Sequence, residues 1–168
     1  MVEGSFLNYI AGTDKGEQAV LRRNAGTMLE YADTKAYITF YHFYQLTSTS
    51  LEKEEQYFCA ACLQCLWKPE ELEKAIPIAA AGKNMEENSK KTFEKRMADL
   101  LDVQWDKDGY FISKLYRLCR LIKSKGLVVD CEVLLQDLQY WNCDDHRIQR
   151  KWAHILMNNE NIKPEGDK

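Results

Sequence analysis

Proline and glycine are scarce in this 168-residue chain, which has three prolines (Pro69, Pro77 and Pro164) and eight glycines. The stretches 1–68 and 78–163 hold no proline, so helices can run through them unbroken. Period-2 alternation, which a half-buried strand needs, is absent. No apolar run approaches the length of a membrane span. No basic segment followed by an apolar stretch and a cleavage site opens the chain, so a cytoplasmic protein without membrane contact is expected. Gly-rich phosphate loops, G-x-S-x-G and H-E-x-x-H are all missing, and no inward pair of acids is evident. The expectation is therefore no enzyme, no catalytic residues and no cofactor. A basic excess is lacking as well: 23 Lys and Arg face 26 Asp and Glu, for a net charge of −3. That total speaks against nucleic-acid binding unless the local arrangement of charge differs from the average.

What the chain does contain is helical periodicity. Its length suits one domain, and no internal repeat stands out. Residues 6–10 and 17–24 read as short helices, the second stopped at Gly26. Thr34 to Gln45 is rich in aromatics and runs into a polar loop, Thr47 to Ser50. Glu52 to Trp67 closes at Lys68-Pro69. Residues 69–88 are the least regular and read as a surface excursion with one helical turn. Ser89 to Leu101 points Phe93, Met97, Leu100 and Leu101 inward. Asp108 caps a helix reaching Lys125, with Gly126 as its stop. Asp130 caps another to about Trp141, and Asp144 or Asp145 starts the last one. Residues 159–168 read as a frayed tail. The fold class is all-α, a single-domain bundle of about seven or eight helices.

Charge is segregated along this scaffold. Turned at about 100° per residue, the helix at 108–125 places Phe111, Ile112, Leu115, Leu118, Cys119 and Ile122 on one arc. Lys114, Arg117, Arg120, Lys123 and Lys125 occupy the complementary arc, free of acids apart from Asp108 at the start. In the last helix Arg147, Arg150, Lys151 and His154 fall within roughly 100° of one another. Residues 89–151 carry 13 Lys and Arg against 10 Asp and Glu, a net of +3, while the rest of the chain carries 10 and 16, a net of −6. Arg22-Arg23 adds a basic pair. A lone basic face is usually just solvated, and cations favour helix C-termini anyway. Several separate stripes suit a protein lying along a sugar-phosphate backbone.

Other motifs carry less. Cys59, Cys62 and Cys65 form C-x2-C-x2-C, but the fourth cysteine of an iron–sulfur signature is missing, and helical spacing lets the thiols pack beside Phe58, Leu63 and Leu66. Six cysteines in a reducing compartment are expected to be free thiols. His42, His146 and His154 have no metal-binding partner at i+4, and no metal site is expected. Trp141 and Trp152 fall on apolar faces; Trp105, in a loop, is the better candidate for an external contact.

One ordered set of short motifs resembles a known family. It comprises Leu21-Arg22-Arg23, the aromatic helix at 34–45, and Glu94-Lys95-Arg96 leading to Leu100-Leu101. Next come Leu118-Cys119-Arg120-Leu121 and Val128-Val129-Asp130, then Leu134-Leu135-Gln136-Asp137-Leu138 and Tyr140-Trp141. Arg147, Arg150 and Trp152 close it. In order and spacing, over roughly residues 15–157, this is similar to the CasB-type small subunit of the type I-E CRISPR complex Cascade. The resemblance implies an α-helical bundle without catalytic role, present in two copies beside the backbone subunits and the large subunit. It implies contact with CRISPR RNA and target DNA, and support of the displaced strand of the R-loop. The guide reads sequence by base pairing, so the proteins need only grip backbone. The expected nucleic-acid-binding residues are Lys114, Arg117, Arg120 and Lys123 with Arg147, Arg150 and Lys151, joined by Arg22, Arg23 and Arg96. Two rival readings remain at this point: a helical adaptor whose basic faces meet acidic proteins, and a metal-dependent regulator built on the cysteine cluster.

Overall fold

The structure is a computed structural model that describes residues 5–47 and 51–158. Eight α-helices form among the described residues. They are α1 (Phe6–Ala11), α2 (Lys15–Arg23), α3 (Thr34–Tyr44), α4 (Glu54–Gln64), α5 (Glu87–Leu101), α6 (Tyr110–Ser124), α7 (Cys131–Leu138) and α8 (Arg147–Met157). No described helix is long and apolar enough to cross a membrane.

Caps set many of the boundaries. The side chains of Ser5, Asp14 and Asp130 accept hydrogen bonds from first-turn amides of α1, α2 and α7, satisfying donors that the helix itself leaves open. Asp108 caps α6 from one residue further out, taking the Tyr110 amide at 2.9 Å while Gly109 adopts φ +78°. The helix after Asp144-Asp145 starts at Arg147, behind His146 at φ 53°. Gly26 needs its freedom for two reasons. Its φ is +87°, and a Cβ there would stand 2.9 Å from the Tyr116 ring of α6.

α4 is the hub. It touches α1, α2, α3, α6 and α7, and every residue from Phe58 to Gln64 is buried, as expected of a helix apolar on all sides. Around it, α5 packs against both α6 and α8. Several buried polar atoms find partners across elements. Gln64 Nε2 donates to the Leu7 carbonyl at 2.8 Å. The indoles of Trp67, Trp141 and Trp152 donate to Leu127 O, Val103 O and Asp137 Oδ2.

Residues 69–88 lie mostly at or near the surface, as expected, except for a short stretch at Ile78–Gly82 that is drawn into the core. Pro69–Lys74 and Ile78–Asn84 form 3-10 turns, and Ile78, Ala79, Ala81 and Gly82 are buried. The cause is close packing. Gly82 lies so near Phe93 of α5 that a Cβ would come within 2.7 Å of its ring. Between the turns, Ile76 makes an isolated parallel bridge with Val129, its amide bonded to Val128 O and its carbonyl to the Asp130 amide. Of the polar loop expected at 47–50, Thr47 ends a 3-10 turn. Residues 48–50 and the tail 159–168 lie outside the described residues.

Candidate nucleic-acid interface

α6 divides as its periodicity requires: Phe111, Ile112, Leu115, Leu118, Cys119 and Ile122 are buried, while Arg117, Arg120 and Lys123 are exposed. Packing of α5 on α6 then brings Arg96 to Lys114 and Arg117. The three cations and Asp99 line one open cleft of about 220 Å³. Among the described residues Arg96 and Arg117 have no ion-pair or hydrogen-bond partner. Three cations against one carboxylate give this cleft a positive balance, the charge that complements an oxyanion. Arg120 extends the surface along α6, its guanidinium bonded to the Tyr116 hydroxyl at 2.7 Å. Lys114 lies over the exposed Tyr110 ring at 4.8 Å.

The remaining basic residues stand in other settings. Arg22 Nε donates to Cys65 O at 2.7 Å, and Lys123 Nζ donates to Leu66 O. Both carbonyls lie just past the last residue of α4, at the helix end where the dipole favours cations; the two side chains close that end from α2 and α6. Arg23 is exposed and unpartnered among the described residues. On α8, Arg147 lies over the Tyr140 ring at 4.6 Å, with Lys53 Nζ 5.2 Å from the same ring. Arg150 Nε donates to Asp145 O at 3.2 Å. Lys151 is drawn off the stripe: its ammonium pairs with buried Asp137 at 2.6 Å, the carboxylate that also holds Trp152. The basic residues thus form separate groups rather than two uniform stripes. Joining Arg96 to Lys114 and Arg117 depended on which helices pair, which the sequence alone does not signal.

Trp105, expected in a loop and available for contact, is half-buried. It stacks on Phe111 at 5.0 Å, with its amide and carbonyl both bonded to Asn142.

Cys59, Cys62, Cys65, Cys119 and Cys131 are buried. Among the described residues no group of three or more His, Cys, Asp or Glu side chains converges as a metal-binding set. Burial in apolar surroundings pushes all five thiols up, Cys119 to about 12. At pH 8 they are therefore neutral thiols, and the thiolate is the reactive form. We expect a disulfide reagent such as DTNB to titrate one thiol rapidly, the half-buried Cys143. The other five should react only at the rate of unfolding, and all six at once in denaturant. More than one fast thiol in the folded protein would contradict this core.

Fold and site together define an all-α bundle with a cationic cleft between α5 and α6 and thiols buried in its core. The chain belongs to the Cse2 family of CRISPR-associated proteins: the family model for CRISPR-associated protein Cse2 matches residues 17–154. Its fold is similar to the crystal structure of CasB from Thermus thermophilus, with TM-score 0.70 and 20% identity over 90% of this chain and 92% of that one. The same figures hold for a second crystal structure from Thermus thermophilus, of a CRISPR-associated protein of the Cse2 family. CasB from M. ruber matches with TM-score 0.66 and 19% identity over 94% of this chain and 95% of that one. No curated protein matches.

Proposed function

We propose that this chain is the non-catalytic small subunit of a type I-E CRISPR RNA-guided surveillance complex, Cascade, and works in the cytoplasm. It holds nucleic-acid backbone and steadies the displaced strand of the R-loop. Its partners are the backbone and large subunits, a second copy of itself, CRISPR RNA and target DNA. Family membership supports a Cascade subunit. The observation that carries the nucleic-acid role is the convergence of Arg96, Lys114 and Arg117 in one cleft, two of them unpartnered among the described residues. Arg120 extends that grip along α6, with Arg147 and Arg150 as a second contact and Arg23 on α2 as a separate one. Arg22, Lys123 and Lys151 already hold protein groups, so the proposal leans on them least.

Phosphate contacts are salt-sensitive and blind to sequence. The test is binding of the protein, alone and in the assembled complex, to unrelated single-stranded oligonucleotides over a salt series. Log affinity should fall linearly with log salt at about 0.7 per contact, equally for all sequences. Salt-independent binding, or binding to acidic proteins only, would favour the adaptor reading instead.

A further inference from the structure

The acidic part of the molecule has a surface of its own. Between α3 and the start of α4 lies a cleft of about 340 Å³ lined by Leu29, Glu30, Tyr37, Tyr41, Glu54 and Glu55. Tyr37 and Tyr41 are four residues apart and stand on one side of α3. The Tyr41 hydroxyl donates to Glu54 Oε2 at 3.1 Å, and both oxygens of Glu55 face the Leu29 amide, at 3.1 and 3.2 Å. Among the described residues none of the three glutamates has a cationic partner. Large apolar side chains neighbour its lining residues in the chain: Ile38, next to Tyr37 on α3, is 62% exposed, and Tyr31, next to Glu30, is 71% exposed.

The charge pattern decides what class of partner fits. Three carboxylates repel phosphate, so this face is unsuited to the nucleic acid that the α5–α6 cleft accommodates. Tyrosine rings beside unpaired carboxylates suit a guanidinium, which stacks on the rings and is held by the acids in a fork. Exposed Ile and Tyr side chains around such a site suit the apolar part of a protein interface, where Tyr and Arg anchors concentrate binding energy.

We propose that this cleft and the exposed ridge of α3 dock an arginine-bearing segment of another protein subunit, with the guanidinium seated between Tyr37, Tyr41, Glu30 and Glu54. The proposal rests on the reading of the chain as a subunit of a larger complex. It separates two surfaces by charge: the α5–α6 cleft for nucleic acid and the α3–α4 cleft for a basic protein segment.

The test uses the complex assembled from its co-expressed subunits. Glu30 and Ile38 are exposed, so the variant Glu30→Lys with Ile38→Glu should fold with unchanged Tm. Its incorporation, measured as stoichiometry in the purified complex, should fall at least tenfold. Salt-dependent oligonucleotide binding by the free protein should stay as in the wild type; its absence in both would count against the nucleic-acid reading, not against the cleft. A photocrosslinking residue at position 38 should join to a different subunit, close to an arginine. Normal incorporation of the variant overturns the proposal. So does a crosslink to nucleic acid or to a second copy of the chain, and so does a variant whose lost incorporation follows from a lowered Tm.

Discussion

Reversing the charge on both walls of the α5–α6 cleft, with Arg96→Glu and Arg117→Glu, is expected to weaken target binding on the order of 100-fold at physiological salt. A charge-assisted hydrogen bond contributes about 1.5–3 kcal/mol, and about 1.4 kcal/mol is tenfold in affinity, so each lost contact costs roughly tenfold or more. The loss should be equal for all matched guides, because these side chains have no base edge to read. The slope of log affinity against log salt should flatten by about one for each contact removed. Folding should be unaffected, since Arg96 and Arg117 are exposed and hold no protein group among the described residues. Asp99, the carboxylate in the same cleft, supplies the opposite control: Asp99→Asn should tighten binding slightly. Wild-type affinity and salt slope in a normally assembled complex of the double variant would reduce the cleft to an ordinary solvated surface. The pair Arg117→Glu with Arg120→Glu tests the face of α6 alone and should show a smaller loss, because Arg120 already bonds Tyr116.

Asp137→Ala should be among the most destabilising single changes in the molecule, at about 2–4 kcal/mol. The Asp137 side chain is only 7% exposed and serves two partners, Lys151 Nζ at 2.6 Å and Trp152 Nε1 at 2.8 Å. Its removal leaves an indole N–H without an acceptor in the core and a cation without its counter-charge. For a chain of this size each kcal/mol shifts Tm by about 2–4 °C, so thermal unfolding should drop by roughly 5–15 °C. Lys151→Met should cost less, because the lysine side chain is 46% exposed and water screens part of the pair. It should leave the salt slope of nucleic-acid binding unchanged. A slope that flattens in Lys151→Met at wild-type stability would return Lys151 to the nucleic-acid surface. An Asp137→Ala protein within about 0.5 kcal/mol of wild type, the scatter of ordinary surface substitutions, would show that the site relaxes around the loss.

Much of the architecture was legible in the sequence because helices are local objects. The 3.6-residue period placed the buried face of α6 opposite Arg117 and Arg120 before any neighbour was known. Asp130 capped α7, and Gly26 and Gly126 ended α2 and α6, because capping and positive φ depend on a few adjacent residues. The ordered motifs from Leu21 to Trp152 pointed to the family. Tertiary structure decided the rest. Residues 69–88 looked like surface because Pro77, Gly82 and several charges interrupt any period, yet the small residues of Ile78–Asn84 let that part close on Phe93. Helical angles say which way a cation leaves its own helix but not what it meets. Arg96 therefore became part of the cleft only when α5 paired with α6, whereas Arg22 and Lys123 turned to the end of α4 and Lys151 reached inward to Asp137. Long flexible side chains can follow either route, and the choice is made by the nearest uncompensated charge or carbonyl, which packing alone brings within reach.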